Sequence, residues 1–395
     1  MSPSFNMGST QQLPLTVLSL LMGVSISNIF YSQSLLSLIS STFGLTSGRV
    51  GVVPMVLQLG LLTAMVFVLP AGDLFDRRKM LRMIAGGASV SAFLIAFADN
   101  FSLLLLSFYC LGFFTLSSYI LPAFVSGLVP THERGYVIGR LLSGHFAGIL
   151  LSRFFSGLVA NLFGWRSIYL ISALLMGSVA LLWPLLIPPD RDRVNESYMF
   201  LISRQFSLLR RFDALRRSCM NQGLQYAAFV IVWTGLALHL ANAPWSYSAA
   251  QIGAFGLVGF ASIATSAWIG RLVDRFGSKR VIVACSLMTF LGLVGLIVWE
   301  TSIQGLLLSM CCIDFGVNGS NVANQSRVFS LDPAARSRLG ALLFITAGTA
   351  ASMSDLLLVT LWPAWGWHGV LYLALLLVSV AILSQFFGSA AVRQS

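Results

Sequence analysis

Charge is what this sequence has least of. Asp, Glu, Lys and Arg together make up 9% of its 395 residues, whereas a soluble domain carries about 25%. A chain this poor in charge cannot cover a water-facing surface, so a string of soluble domains is excluded. Acids are scarcer than bases, 13 against 24, giving a net charge of +11. The bases sit in short clusters between apolar runs, which argues for membrane topology and against a nucleic-acid partner. Cysteines are few and odd in number (Cys110, Cys219, Cys285, Cys311 and Cys312), with no CxxC or Cys/His ligand spacing. Neither a disulfide framework nor a metal site is supported. No Lys or Arg precedes Arg49, so the basic region of a cleaved signal peptide is missing, and the first apolar run is expected to stay in the mature protein. The phosphate-binding pattern GxxxxGK[ST] is absent as well, so ATP-driven chemistry would need another subunit. With no convergent nucleophile, base or metal set, an enzyme is not expected, and no cofactor is expected beyond a proton gradient.

What the sequence has is apolar length. Hydrophobic types make up 57% of the residues, and the mean hydropathy is +0.85. At about 20 residues per bilayer crossing, twelve crossings fit with short loops between them. Apolar runs and their polar breaks place spans near 14–40, 50–71, 80–98, 102–128, 136–163, 167–188, 219–242, 249–272, 280–299, 303–328, 338–361 and 367–388. They are predicted to be helices, because lipid offers nothing to satisfy an open backbone. With the N-terminus inside, 21 of the 24 cations fall in cytoplasmic segments, and only Arg49, Arg153 and Arg166 lie elsewhere. The positive-inside rule therefore puts both termini in the cytoplasm of a cell whose inner membrane holds the chain.

The chain repeats itself at half its length. Gly72-Asp73-Leu74-Phe75-Asp76-Arg77 returns as Gly270-Arg271-Leu272-Val273-Asp274-Arg275, 198 residues on. Gly164-Trp165-Arg166 returns as Gly366-Trp367-His368, 202 residues on. Two parallel six-span repeats follow, divided as residues 1–188, a cytoplasmic loop 189–218, and residues 219–395. In that loop Phe200, Leu201, Leu208, Leu209, Phe212 and Leu215 are interleaved with arginines. The pattern reads either as an amphipathic helix on the cytoplasmic leaflet or as a linker whose charges fix topology.

Gly270 to Arg280 (GRLVDRFGSKR) resembles the G-x-L-a-D-R-x-G-R-K loop signature of the major facilitator superfamily. The first-half copy keeps Gly72, Leu74, Asp76, Arg77 and Lys79 in shortened form. The resemblance implies an all-α membrane protein with twelve transmembrane helices in two pseudo-symmetric six-helix bundles. It also implies a monomer in the lipid bilayer, and a central substrate cavity lined by spans 1, 4, 7 and 10. Gly139, Gly148 and Gly157 resemble the glycine spacing of antiporters in the fifth span, with Arg153 where that pattern has proline. Segments 28–36, 315–333 and 337–340 resemble a bacterial subgroup described as drug, sugar or siderophore exporters.

The polar residues, read independently, point to the same spans. Asp314, Asn318, Asn321 and Gln325 share one face of the tenth span. Gln222, Gln225, Tyr226, Phe229 and Trp233 make an aromatic-rich stripe on the seventh, and Asn28, Tyr31 and Gln33 cluster on the first. Buried polar groups in lipid either line a wet cavity or hold helices together. Arg153, Asp314 and Asp355 are ionisable groups deep in spans, where an unpaired charge costs about 2.5–3.5 kcal/mol. Asp314 is expected to carry a coupling proton, with Asp355 as its rival and a fixed Asp314–Arg153 pair as the alternative. Gly72, Asp76, Arg77, Gly270, Asp274 and Arg275 are expected to gate, the aspartates meeting a helix N-terminus across the halves. The function expected is secondary transport of a small organic molecule by alternating access, as proton-coupled efflux. Import or facilitated passage is the alternative, and a transport-inactive sensor or assembly protein a more distant one.

Overall fold

The computed structural model describes residues 14–46, 49–69, 75–128, 134–187, 207–259, 266–332 and 336–386. Among them no strand occurs, and ten helical segments are long and apolar enough to cross a membrane. In chain order we label α1 (Leu15–Phe43), α2 (Arg49–Phe67), α3 (Arg77–Ala96), α4 (Phe101–Pro122, continuing through Ser117–Leu128), α5 (Arg134–Phe163) and α6 (Arg166–Leu186). The second half has α7 (Asp213–Ala241), α8 (Ala249–Gly259, then Ser266–Phe276), α9 (Ser278–Val298) and α10 (Ile303–Phe329). The last segment, Arg336–Leu383, runs for 48 residues. At a rise of about 1.5 Å per residue it is more than twice the thickness of a hydrocarbon core of about 30 Å. It divides at Gly366, whose φ of 53° is non-helical, into α11 (336–365) and α12 (367–383). This arrangement is consistent with the twelve crossings expected.

The repeat in the sequence is a repeat in the fold. Gly164, at φ 84°, turns the chain between α5 and α6 just as Gly366 turns it between α11 and α12, and only glycine adopts such angles readily. The tryptophan after each turn, Trp165 or Trp367, is buried. Packing follows the same plan in both halves. In the first, α1 lies on α5, α2 on α4 and α3 on α6; in the second, α7 lies along α11, and α8 and α9 both lie on α10. Contacts at both ends, Glu300 with His368 and Lys279 over the Phe386 ring, set α9 antiparallel to α12.

Among the described residues the halves meet most extensively through two pairs of helices, α5 with α8 and α2 with α11, and the internal two-fold exchanges one pair for the other. Small residues permit backbone-to-backbone approach there, as membrane interfaces favour. A Cβ placed on Gly157 would lie 2.2 Å from the carbonyl oxygen of Ala249, and one on Gly253 would lie 2.2 Å from that of Arg153. At Gly51 a Cβ would lie 2.7 Å from the Leu358 side chain. All three contacts are on the side where α1, α5 and α7 end, so the two bundles are shut against one another on that side.

Of the loop expected to be amphipathic, residues 189–206, including Phe200 and Leu201, lie outside the described residues. Leu208, Leu209 and Phe212 are within them, and Leu215 falls in the first turn of α7, which begins at Asp213. They pack on Val328 of α10 and on Leu339, Leu342 and Leu343 of α11. The end of the loop is therefore docked on the second bundle.

Candidate functional site

A cavity lies between the halves. Phe30 of α1, Gln58 of α2, Tyr119 of α4, and His145 and Arg153 of α5 line it from the first half. Gln222, Tyr226 and Phe229 of α7, Asp314, Asn318 and Asn321 of α10, and Phe344 and Gly348 of α11 line it from the second. The expected spans 1, 4, 7 and 10 all contribute. Spans 2, 5 and 11 contribute as well, because α2–α11 and α5–α8 are the most extensive contacts between the halves.

Arg153 is 2% exposed within a membrane span. The first helix reaches it through a local irregularity: Tyr31–Leu35 winds as a 3-10 turn within α1, a feature that often marks functional bends. From that turn Gln33 presents its Oε1, which accepts a 2.7 Å hydrogen bond from Arg153 Nε. From the same turn Ser34 meets Ser156 of α5 at 2.7 Å. Three rings surround the guanidinium carbon, with centroids at 4.3 Å for Trp233, 4.8 Å for Phe30 and 6.0 Å for Phe229. Aromatic faces attract a cation most strongly when water is excluded, so the rings help keep a charge that bare lipid would reject. Nη2 of Arg153 makes no hydrogen bond among the described residues.

Asp314 is 3% exposed. Its Oδ2 has no hydrogen-bond partner among the described residues, and it lies 3.4 Å from where a Cβ on Gly259 of α8 would stand. It is electrostatically coupled to Arg153, without a direct ion pair between them among the described residues. The Trp233 indole stands close enough to interact with its carboxyl but forms no hydrogen bond of ordinary geometry. Among the described residues the cavity thus has one arginine and one acid that face common space and are not locked together.

The remaining candidates separate by partner. Asn28 donates to the carbonyls of Val24 (3.2 Å) and Ser25 (3.1 Å) and accepts from Ser172 of α6, so it joins helices and is not on the cavity wall. Tyr31 packs edge-on against Tyr169, with centroids 6.3 Å apart. Gln225 is turned away from the cavity and donates to Ser286 of α9 at 2.6 Å. Its network centres on Asn221, whose Oδ1 accepts from Ser320 and Asn324, each at 2.8 Å. Gln325 lies beyond the cavity and donates to Asn321 at 2.7 Å. Asp355 sits behind the wall, fully buried, accepting from Thr234 of α7 at 3.3 Å. Gln58, Tyr119, His145 and Phe344 are cavity residues that belong to no stripe in the sequence. They are single polar or aromatic positions on four helices, and only the fold brings them together.

Among the motif residues, Gly72 lies outside the described residues. Asp76 caps α3, accepting from the backbone N–H of Arg78 (3.0 Å) and Lys79 (3.3 Å). The helix N-terminus it meets belongs to its own half, because an Asp immediately before a helical run takes the capping position. Arg77 stands 5.6 Å from the Phe124 ring centroid. Around Gly270 there is open space for a Cβ, and Asp274 and Arg275 are exposed at the end of α8.

Comparison with known proteins agrees with this architecture. The family model described as Major Facilitator Superfamily matches residues 15–210. The chain is 29% identical over 357 residues to the putative uncharacterized transporter YgaY of Escherichia coli (strain K12), covering 90% of each chain. It is 26% identical over 366 residues to the probable transporter SCO4007 of Streptomyces coelicolor, covering 92% of this chain and 84% of that one. Its fold is similar to the crystal structure of the nucleoside transporter NupG (D323A mutant), with a TM-score of 0.72 at 14% identity, covering 94% of this chain and 98% of that one. It is also similar to a bacterial homolog of the human lysosomal transporter Spinster in an inward-facing and unoccupied conformation, with a TM-score of 0.68 at 14% identity over 96% and 97% of the two chains. At that identity the two structures speak for the fold alone.

Proposed function

We infer that this multi-pass membrane transporter of the major facilitator type moves a small organic solute through the cavity between its halves by alternating access. Asp314 carries a proton in the cycle, and the chain works as a monomer in a bacterial inner membrane with both termini in the cytoplasm. The observation that carries the reading is the buried carboxyl of Asp314, which faces the cavity with Arg153 and whose Oδ2 has no hydrogen-bond partner among the described residues. Moving a bare carboxylate through closed states is costly. Protonation removes that charge, so the proton and the solute become linked at one site.

The sign of that linkage sets the direction. A solute that competes with the proton for Asp314 is exchanged for it, which gives the proton-coupled efflux favoured by the exporter-like segments. A solute whose binding is helped by the proton travels with it, which gives uptake. The unpartnered Arg153 nitrogen beside Asp314 favours this second reading. Both are tested by Asp314→Asn in reconstituted vesicles, with flux measured across a compound panel with and without a proton gradient. The variant should lose gradient-driven accumulation and keep downhill exchange. Accumulation that survives the substitution would move the proton site elsewhere, Asp355 being the next carboxyl.

A further inference from the structure

We propose that the cavity recognises a planar organic anion, an aryl or heteroaryl carboxylate, sulfonate or phosphate, whose acidic group docks on the Arg153 guanidinium. The proposal rests on reading this cavity as the transport site. A guanidinium has five N–H donors in a planar fork that matches an oxyanion in bidentate fashion. Here Nε is held by Gln33 at 2.7 Å, which fixes the plane of the fork while leaving Nη2 without a partner among the described residues. A side chain 2% exposed with a free donor at a cavity wall is arranged for a ligand that brings its own charge. Were its role only structural, a carboxylate would be expected to lock against it, and Asp314 does not.

The neighbouring rings indicate the rest of the ligand. Tyr226 and Phe229 lie nearly parallel, 22° apart with centroids separated by 6.0 Å, and Phe229 meets Trp233 edge to face at 6.3 Å. An aromatic body attached to the docked acid would lie against this wall, where stacking favours flat π-systems. Asn318 and Asn321 across the cavity are polar and carry no charge.

The charge count then fixes the coupling. Among the described residues that line the cavity, Asp314 is the only carboxyl. The other titratable groups among the described lining residues are His145 and Arg153 on α5, Tyr119 on α4 and Tyr226 on α7, while Cys311 of α10 lies within electrostatic reach of Asp314 and α8 contributes glycine. Deprotonated Asp314 competes with an incoming anion for the field of Arg153, and protonated Asp314 leaves that field to the anion. Proton and anion therefore bind cooperatively, and by linkage each raises the affinity for the other.

The test uses the purified full chain in lipid nanodiscs, with tryptophan fluorescence and calorimetry as binding readouts. The probes are matched sets: benzoate, indole-3-acetate, benzenesulfonate and phenyl phosphate, with benzamide, indole-3-acetamide and tryptamine as neutral and cationic counterparts. Anions should bind at least about tenfold more tightly than their amides, as a charged hydrogen bond implies. Binding should tighten as pH falls, with proton uptake measured in weak buffer. Arg153→Gln should erase the anion preference, and Arg153→Lys should keep part of it. Equal affinity for acid and amide in the wild-type protein overturns the proposal without any variant having to fold, and so does failure of every anion to bind. Ala347→Trp, which fills the cavity, tests the underlying reading separately. If it leaves vesicle transport unchanged, the cavity is not the route. If it blocks transport while acids and amides bind alike, the route stands and the anion proposal falls.

Discussion

Gly148 and Gly157 belong to one glycine pattern in α5, yet the structure assigns them to different interfaces, and their alanine variants should behave differently. A Cβ on Gly148 would stand 2.2 Å from the carbonyl oxygen of Gly23, inside the first bundle; one on Gly157 would stand 2.2 Å from that of Ala249, across the halves. Both distances fall more than 1 Å short of ordinary contact, which begins at 3.4 Å. Overpacking of this kind costs about 1–3 kcal/mol. In Gly148→Ala the cost falls on every state that keeps the bundle intact, so it appears as lost stability. In Gly157→Ala it falls only on the state in which α5 and α8 touch. It should therefore move the conformational equilibrium by about 5- to 150-fold toward separation of the halves on that side.

The assay is a distance between spin labels at residues 163 and 365, equivalent positions at the ends of α5 and α11. Phe163 and Trp365 are 73% and 63% exposed, so labelling should disturb little once the five native cysteines are replaced. Gly157→Ala should raise the long-distance population at least about fivefold, with thermal stability nearly unchanged. Gly148→Ala should keep the wild-type distribution and unfold at lower temperature. If the two variants shift the distances equally, or if Gly157→Ala only destabilises, α5–α8 contact does not define the closed state.

Other consequences are smaller and separable. Asn221→Ala removes four hydrogen bonds among α7, α9, α10 and α12; at about 0.6 kcal/mol each it should lose about 2 kcal/mol in a denaturant titration. Asp76→Ala should lose about 1 kcal/mol of capping and expose the first amides of α3 to hydrogen exchange, whereas Asp76→Asn should keep the cap; a drop in turnover with Asn would then isolate a role for the charge. Gly366→Ala should cost about 1–3 kcal/mol, since its φ of 53° with ψ of −140° is a backbone conformation open to little but glycine, read as a lower unfolding temperature. Asp355→Asn keeps an acceptor for Thr234 and should retain gradient-driven accumulation in vesicles, unlike Asp314→Asn.

The bilayer makes one part of this molecule easy to read from its sequence. A run of about 20 apolar residues has little choice but a helix, and Gly164 and Gly366 mark equivalent turns because so few residues adopt a positive φ. Side-chain roles are harder to read, since a helix face gives direction without naming what lies opposite. Gln222 and Gln225 sit three residues apart on α7, equal in chemistry and close in angle. Gln222 faces the cavity; Gln225 finds Ser286 of α9, and that hydroxyl absorbs it into the scaffold. Asn28, bonded to Ser172, likewise lies off the cavity wall, whereas Asn318 and Asn321 are on it. A polar residue in lipid must find a partner, and whether that partner is a neighbouring helix or a passing solute depends on the packing of distant segments. Arg153 is informative for that reason. Its cationic length at a proline position is visible in the sequence, but the three rings, the single Gln33 bond and the missing carboxylate emerge only when α1, α5 and α7 converge. A buried charge that its own protein stabilises but does not neutralise leaves that neutralisation to the ligand.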